Sequence, residues 1–260
     1  MTRMSVNKIE IDYEDIGQGE TLVLLHGLGS TKKDWDFQIP VFSKKFRVLA
    51  PDFRGHGDSG YNEEDFGVEF LTEDIYQLLQ KLDIQKATFV GFSMGGAVAF
   101  QMAVSHPDLV DKLIIVNSGP DFNNMGQIGE DLLKNRTHFL ETKGLQELAK
   151  EISKNMFPEP EQKKLRDEFE MRCSKNDVSV YYKTFLTLMK WGLGSQLKSI
   201  AHQTLVIASD LDYTPISFKE NFVSNMQNAT LAVVTNSRHG VVMDQHETFN
   251  NLVLNFLKNE

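Results

Sequence analysis

The chain has 260 residues, 41% of them hydrophobic and 24% charged, and its 36 acidic and 27 basic residues give a net charge of −9. A chain of this length suits one large domain, or one domain with an inserted lid, and can bury a substantial core. The excess of negative charge disfavours nucleic acid and anionic membranes as partners, since both are themselves negatively charged.

The sequence also excludes some kinds of site and favours one location. Cys173 is the only cysteine, which rules out an intramolecular disulfide and a cysteine-based metal cluster and is compatible with a reducing cytosol. The N-terminal MTRMSVNKIEIDYED lacks the apolar core of a signal peptide. No run of about 18 apolar residues, the length that spans a membrane, is present. We therefore expect a cytoplasmic protein.

An alternating pattern opens the chain, and short apolar runs follow it at intervals. KIEIDYEDIG, from Lys8, alternates apolar and polar residues, as expected for a half-exposed strand. The later runs are almost continuously apolar and end in Gly, Asp, Asn or Ser, which is typical of strands buried on both faces of a parallel sheet. These runs are TLVLLHG from Thr21, RVLAPD from Arg47, ATFVGFS from Ala87, KLIIVNSG from Lys112, TLVIASD from Thr204 and TLAVVTNS from Thr230.

Helical patterns separate the apolar runs, most clearly at Glu69–Leu82 and Glu247–Asn259. This alternation predicts an α/β fold with helices on both faces of the sheet. Between residues 121 and 200 the alternation stops, and helical stretches such as HFLETKGLQELAKEISKNMF and EQKKLRDEFEMRC take its place. We interpret residues 121–200 as a helical cap inserted into a core formed by residues 1–120 and 201–260.

The strand pattern ATFVGFS passes directly into a helix pattern through the sequence GFSMGG. Gly91, Ser93 and Gly95 match G-x-S-x-G, and a strand before the motif with a helix after it predicts a nucleophile elbow. A serine on so sharp a turn has strained backbone angles, and glycines on either side avoid collisions with neighbouring backbone. Gly96 would let the helix pack closely on the sheet. The turn should direct the Ser93 hydroxyl into solvent at the carboxyl edge of the sheet.

The loop after the early strand, LLHGLGS, predicts the second half of an oxyanion hole. In this architecture one donor is the backbone N–H of the residue after the nucleophile, here Met94, and the other comes from the early loop, here Leu28. We interpret His26 in that loop as structural rather than catalytic.

Two later strand ends supply the partners that a serine nucleophile needs. TLVIASDLDYTP offers the acids Asp210 and Asp212, and His239 stands in the polar loop after the last strand pattern. The chain order is therefore Ser…Asp…His. Serine needs an imidazole to take its proton, and the imidazole needs a carboxylate to orient it. Because open α/β sheets place their sites at the carboxyl ends of strands, we expect these groups to converge.

The motifs LVLLHGLGS, PDFRGHGDS, VGFSMGG, LVIASDLDYTP and SRHGVVMDQ occur in one order along the chain. In them the chain resembles the α/β-hydrolase superfamily over essentially its whole length. The resemblance implies a mostly parallel eight-stranded sheet with an inserted helical cap, and structural roles for Asp52, Arg54 and His56. It aligns Asp212 best with the catalytic acid of the superfamily. Asp210 is the second choice, and Asp121 is the third, because some members carry the acid after that strand.

The remaining polar residues give weaker signals. No H-x-x-x-H pattern and no acidic cluster with ligand spacing indicates a metal site, and no cofactor is expected. Arg136, Arg166 and Arg172 in the cap are candidates for binding an acidic substrate, although arginines there are more often solvated surface. Cys173 lies in a charged helical pattern and is expected to be inert. The other histidines, His56, His106, His138, His202 and His246, are expected to be structural or on the surface.

The leading hypothesis is a serine hydrolase that cleaves a small carboxylic ester through an acyl-enzyme on Ser93. His239 would act as general base and acid, Asp212 would orient it, and Leu28 and Met94 would bind the oxyanion. The resemblance leaves open enol-lactonase, C–C bond hydrolase and perhydrolase activities. A ligand-binding receptor with little turnover is a rival from another class. A homodimer is also left open.

Overall fold

The computed structural model describes residues 2–63 and 65–258. Its strands form one eight-stranded sheet in the order β1-β2-β4-β3-β5-β6-β7-β8, in which β1, β2 and β4 pair antiparallel and all other neighbours pair parallel. This confirms the mostly parallel eight-stranded sheet. The strands are β1 (Thr2–Val6), β2 (Ile9–Ile16), β3 (Thr21–Leu25), β4 (Arg47–Pro51), β5 (Ala87–Phe92), β6 (Val110–Val116), β7 (Gln203–Ser209) and β8 (Ala229–Val234).

The two edges of the sheet differ from the sequence-based prediction. β1, which the sequence did not predict, pairs with β2 through a tight turn at Asn7 and Lys8, both of which have positive φ. β8 was expected to be buried on both faces, but most of its residues are exposed or half-buried. It pairs only with β7, and an edge strand is covered by neighbours on fewer sides than a central one.

Helices pack on both faces of the sheet, as predicted. Alternate residues of β3 enter different apolar clusters, because successive side chains of a strand point to opposite faces. One cluster is covered by α2 and α3, and the other by α1 and α9. The helices are α1 (Ile39–Phe42), α2 (Val68–Lys81), α3 (Met94–Ser105), α4 (Gln127–Met156), α5 (Lys163–Ser174), α6 (Val178–Leu188), α7 (Ile216–Val223), α8 (Val241–Asp244) and α9 (His246–Lys258). The last residue of the predicted C-terminal helix, Asn259, lies outside the described residues.

The segment of residues 121–200 is helical, in agreement with the prediction. It contains α4, α5 and α6, no strand begins within it, and its one β-bridge joins Asp121 to Gly192. Gly144, with a φ of 81°, divides the long helix α4 at a kink. The treatment of this segment as a separate cap domain stays a prediction. Among the described helices, none combines the length and apolar character needed to cross a membrane.

Candidate active site

Ser93 lies on a strained turn between β5 and α3. Its φ of 53° and ψ of −116° are unusual for a residue with a side chain. A Cβ added to Gly91 would lie 2.3 Å from the Gly95 carbonyl oxygen, and one added to Gly95 would lie 2.1 Å from the Leu25 carbonyl oxygen. The turn therefore requires glycine at both positions, because any side chain there would clash with backbone. Ser93 is only 9% exposed. Its side chain lines a partly open cavity. The prediction that the turn would direct this hydroxyl into open solvent therefore holds only in part.

His239 and Asp212 meet beyond the carboxyl ends of β8 and β7. The His239 Nδ1 lies 2.7 Å from Asp212 Oδ1, and both side chains are buried. Burial raises the pKa of the Asp212 carboxyl, but the charges and hydrogen bonds of His239 and Lys219 outweigh it and lower the pKa to about 2. Asp212 is thus a carboxylate that accepts the Nδ1–H of the imidazole, and Nε2 is the ring nitrogen that remains for a partner on the other side.

Lys219, on α7, is a site residue that the sequence analysis missed. Its Nζ donates to Asp212 Oδ2 at 2.6 Å, and neither side chain has exposed surface. Burial lowers the pKa of the Lys219 ammonium, while the neighbouring carboxylate opposes that change. Thr214 also donates to Asp212 Oδ2, at 2.6 Å. A lysine seven residues after an acid has no local signature, because only the packing of α7 brings its ammonium group inward.

Tyr213, which the sequence analysis also missed, lies between the serine and the histidine. Its hydroxyl is 2.8 Å from His239 Nε2, and the two rings have centroids 4.2 Å apart. Although 47% of the residue is exposed, the hydroxyl group is withdrawn from water at the buried imidazole. This desolvation raises the pKa of the phenol, and the Asp212 charge adds to the effect, whereas a hydrogen-bonding contact with Ser93 opposes it. The Tyr213 hydroxyl occupies the nitrogen that a Ser93–His239 pair would use.

The loop with Leu28 approaches the serine from the end of β3. A Cβ on Gly27 would lie 3.5 Å from the Ser93 Cβ, so this backbone passes close to Ser93. Among the described residues, none accepts a hydrogen bond from the backbone N–H of Leu28 or Met94. Both N–H groups therefore keep their hydrogen-bonding capacity.

His26 holds that loop in place, in agreement with its predicted structural role. Its Nδ1 lies 2.8 Å from the Gly27 carbonyl oxygen, and its Nε2 accepts from the Phe53 backbone N–H at 3.0 Å. Burial lowers the pKa of His26 well below its usual range, and the neighbouring His56 adds to the effect. His26 is thus a neutral, fully buried imidazole whose two ring nitrogens both make hydrogen-bonding contacts, and these contacts hold the loop in place.

The other acid candidates lie away from the imidazole. Asp210 Oδ1 accepts from the Ser237 backbone N–H at 3.3 Å, and Asp121 Oδ1 accepts from the Gly194 backbone N–H at 2.7 Å. Both carboxylates thus bind loop backbone. Of the three acids considered, Asp212 alone has a hydrogen bond to His239 in the described part of the chain.

The predicted structural residues form buried ion pairs. Arg54 binds Asp74 with two hydrogen bonds of 2.6 Å, and His56 Nδ1 contacts the Arg54 carbonyl oxygen at 3.0 Å. Folding also brings Asp52 together with two further acids, Asp12 and Asp58, a cluster that the sequence did not reveal. The Lys32 ammonium already lies 2.6 Å from oxygens of both Asp12 and Asp52. The Lys32 ammonium therefore compensates part of the negative charge of this cluster.

The cavity at Ser93 has a volume of about 360 Å³. Residues from the loop after β3, from the turn at Ser93, from α4 and α5 and from the loops that carry Asp212 and His239 line it. They are Gly27, Leu28, Phe92, Ser93, Leu132, Arg136, Ile152, Asn155, Met156, Phe169, Leu211, Tyr213, Arg238 and His239. Most of these are apolar, and the lining includes two arginines and no acidic residue.

The three arginines that were candidates for binding an acidic substrate lie in different environments in the structure. Arg172 pairs with the buried Asp34 at 3.3 Å, and Arg166 donates to the Phe157 carbonyl oxygen at 2.7 Å. Neither lines the cavity, whereas Arg136 does. Cys173 is fully buried, and burial raises the pKa of its thiol to about 12, which agrees with the expectation that it is inert.

Comparison with known proteins identifies the family. The family described as alpha/beta hydrolase fold matches residues 20–204. A stretch of 103 residues is 40% identical to an uncharacterized protein of Mycobacterium tuberculosis and covers 40% of this chain but only 30% of that protein. The AB hydrolase superfamily protein YisY of Bacillus subtilis is 26% identical over 257 residues, which cover 95% of each chain. The crystal structure of the enol-lactonase from Burkholderia xenovorans LB400 has the same fold, with a TM-score of 0.90 and 23% identity over 99% of this chain and 100% of that one. The resemblance seen in the sequence motifs is confirmed, and the chain belongs to the α/β-hydrolase fold family.

Proposed function

We propose that this protein is a serine hydrolase that cleaves a small carboxylic ester through an acyl-enzyme on Ser93. The observation that carries the proposal is the hydrogen bond of 2.7 Å between His239 Nδ1 and the Asp212 carboxylate, next to a serine on a strained turn in the same cavity. An imidazole oriented in this way is a general base for a hydroxyl nucleophile.

In the acylation step, the Ser93 oxygen attacks the ester carbonyl carbon and its proton passes to His239 Nε2. The carbonyl electrons move to oxygen, where the N–H groups of Leu28 and Met94 stabilise the oxyanion. Collapse of this intermediate breaks the bond to the leaving alkoxide, which takes the proton from His239. Asp212 stabilises the imidazolium that forms between these two transfers.

In the deacylation step, water attacks the acyl-enzyme while His239 Nε2 takes one of its protons. A second oxyanion forms in the same hole, and its collapse returns the proton to the Ser93 oxygen and releases the acid. No step requires a metal or another cofactor. Because Nε2 has a single lone pair, the Tyr213 hydroxyl must leave it before Ser93 or water can donate there.

The Ser93→Ala variant tests the proposal. It should fold like the wild type but lose turnover of p-nitrophenyl acetate and labelling by a fluorophosphonate probe, because both reactions need the serine oxygen. Ser105→Ala, at an exposed position on the same helix, is the matched control and should keep both. Undiminished turnover in Ser93→Ala would overturn the assignment.

A lactone is a cyclic ester and would follow the same steps, so p-nitrophenyl esters of rising chain length and simple lactones belong in one substrate panel. Of the remaining alternatives, C–C bond hydrolysis predicts a labelled Ser93 with little ester turnover. A receptor without turnover predicts an unlabelled serine.

A further inference from the structure

Arg136 brings a positive charge into the cavity that contains Ser93. Its guanidinium lies 5.0 Å from the centroid of the Phe185 ring and contacts the Tyr181 hydroxyl. It also acts electrostatically on the Tyr213 hydroxyl, which itself contacts His239. Arg136 thus lines the same cavity as Ser93 and His239. Its two direct neighbours, an aromatic ring and a phenol, are both neutral.

Four of the six other arginines in the described chain form ion pairs with acidic side chains: Arg3, Arg47, Arg54 and Arg172. Arg166 instead donates to a backbone carbonyl oxygen, and Arg238 is exposed. Arg136 has no ion pair with any described residue. A charge that is partly removed from water is costly unless an opposite charge or a full set of hydrogen bonds compensates it. A guanidinium carries five N–H donors. The Phe185 ring and the Tyr181 hydroxyl satisfy only part of this hydrogen-bonding capacity in Arg136.

The rest of the cavity offers no negative charge to Arg136. Among the residues that the structure describes, no acidic side chain lines it, and Arg238, beside His239, adds a second guanidinium at the exposed rim. Asp212, the carboxylate next to His239, is already bound by Lys219 and His239. Asp34, which accepts from the backbone N–H of Gly27 in the cavity lining, is already paired with Arg172. In a protein with a net charge of −9, this cavity is a local region of positive charge.

From this we propose that Arg136 is a substrate-binding residue and that the natural substrate is a small ester or lactone that carries a carboxylate group. This inference rests on the proposed hydrolase function and deepens it. The planar guanidinium can form two parallel hydrogen bonds to a carboxylate, which would fix the substrate in one orientation. The apolar lining would contact the carbon chain between the carboxylate and the reacting carbonyl. A cavity of about 360 Å³ suits a small molecule of this kind.

A pair of esters tests the proposal. Mono-p-nitrophenyl glutarate and p-nitrophenyl pentanoate have acyl chains of the same length, but only the first carries a carboxylate. The wild type should prefer the glutarate ester in kcat/KM. The Arg136→Gln variant should lower this ratio of kcat/KM values by roughly 10- to 100-fold, the range expected for hydrogen bonds to a charged group.

Two further variants separate a specific contact from a general effect of charge. Lys134→Gln removes the same charge from an exposed position on α4 that does not line the cavity, and it should keep the wild-type preference. Arg136→Lys keeps the charge but not the planar fork, and it should give an intermediate preference. The inference would be overturned if Arg136→Gln kept the wild-type preference for the glutarate ester, or if Lys134→Gln lost as much of that preference as Arg136→Gln. Either result would leave the hydrolase proposal intact.

A binding measurement covers the case in which neither ester is hydrolysed, which would count against the proposed function. Glutarate itself should raise the melting temperature of the wild type and of Ser93→Ala, but not that of Arg136→Gln. The absence of any glutarate effect in all three proteins would overturn the anion subsite independently of turnover.

Discussion

Replacement of Lys219 by methionine should destabilise the protein strongly, because it leaves a buried carboxylate without its cation. Lys219 Nζ lies 2.6 Å from Asp212 Oδ2, and both side chains are fully buried. Removal of one partner from such a pair costs about 3–5 kcal/mol. Methionine has nearly the length of lysine, so a cavity should contribute little. For a chain of this size, each kcal/mol of lost unfolding free energy lowers the melting temperature by roughly 2–4 °C, so the melting temperature should fall by about 6–20 °C.

The double variant Lys219→Met/Asp212→Asn provides the control, because it removes both charges. Its cost in the free energy of unfolding should be smaller than the sum of the two single costs by at least about 1 kcal/mol, the coupling expected of groups in contact. Urea denaturation followed by far-UV circular dichroism measures all four proteins. Strictly additive costs, or a fall of less than about 2 °C in the melting temperature of Lys219→Met, would refute the reasoning.

Further predictions concern the tyrosine, the acid and the turn. Tyr213→Phe should label with a fluorophosphonate several-fold faster, since loss of a hydrogen bond worth about 1 kcal/mol frees His239 Nε2 for the serine; slower labelling would mean that the phenol assists the proton transfer. The pKa of Asp212 is about 2, which is below the ordinary value of 3.8 for an aspartate. The stability that the ionised Asp212 carboxylate contributes is therefore complete above about pH 4 and is lost as the pH falls through 2. Between these pH values the wild type should therefore lose about 2 kcal/mol of unfolding free energy relative to Asp212→Asn in urea titrations. Gly95→Ala would place a methyl 2.1 Å from the Leu25 carbonyl oxygen, and we expect loss of activity with a fall in melting temperature; a variant as active and stable as the wild type would contradict the steric argument.

Local patterns were sufficient to predict most of the fold. Continuous apolar runs predicted the parallel strands, because a strand covered on both faces cannot contain exposed polar positions. The edges of the sheet were less predictable. β1 is mostly exposed, and an exposed strand lacks the continuous apolar pattern that a buried one requires. β8 has that pattern, but only one of its six residues is buried, because a local apolar run does not show that the strand lies at the edge of the sheet.

By itself, the sequence determined the turn at Ser93, since Gly91 and Gly95 are demanded by contacts within a few residues of the serine or with the adjacent strand. It also placed His239 and a pair of acids at strand ends. Only the tertiary structure decided which acid meets the imidazole, because Asp210 and Asp212 differ in the direction that the loop after β7 gives each side chain. The same is true of Lys219, Tyr213 and Arg136. Their positions depend on how separate segments pack around one cavity, and such contacts between distant parts of the chain leave no periodic or spacing signal in the sequence.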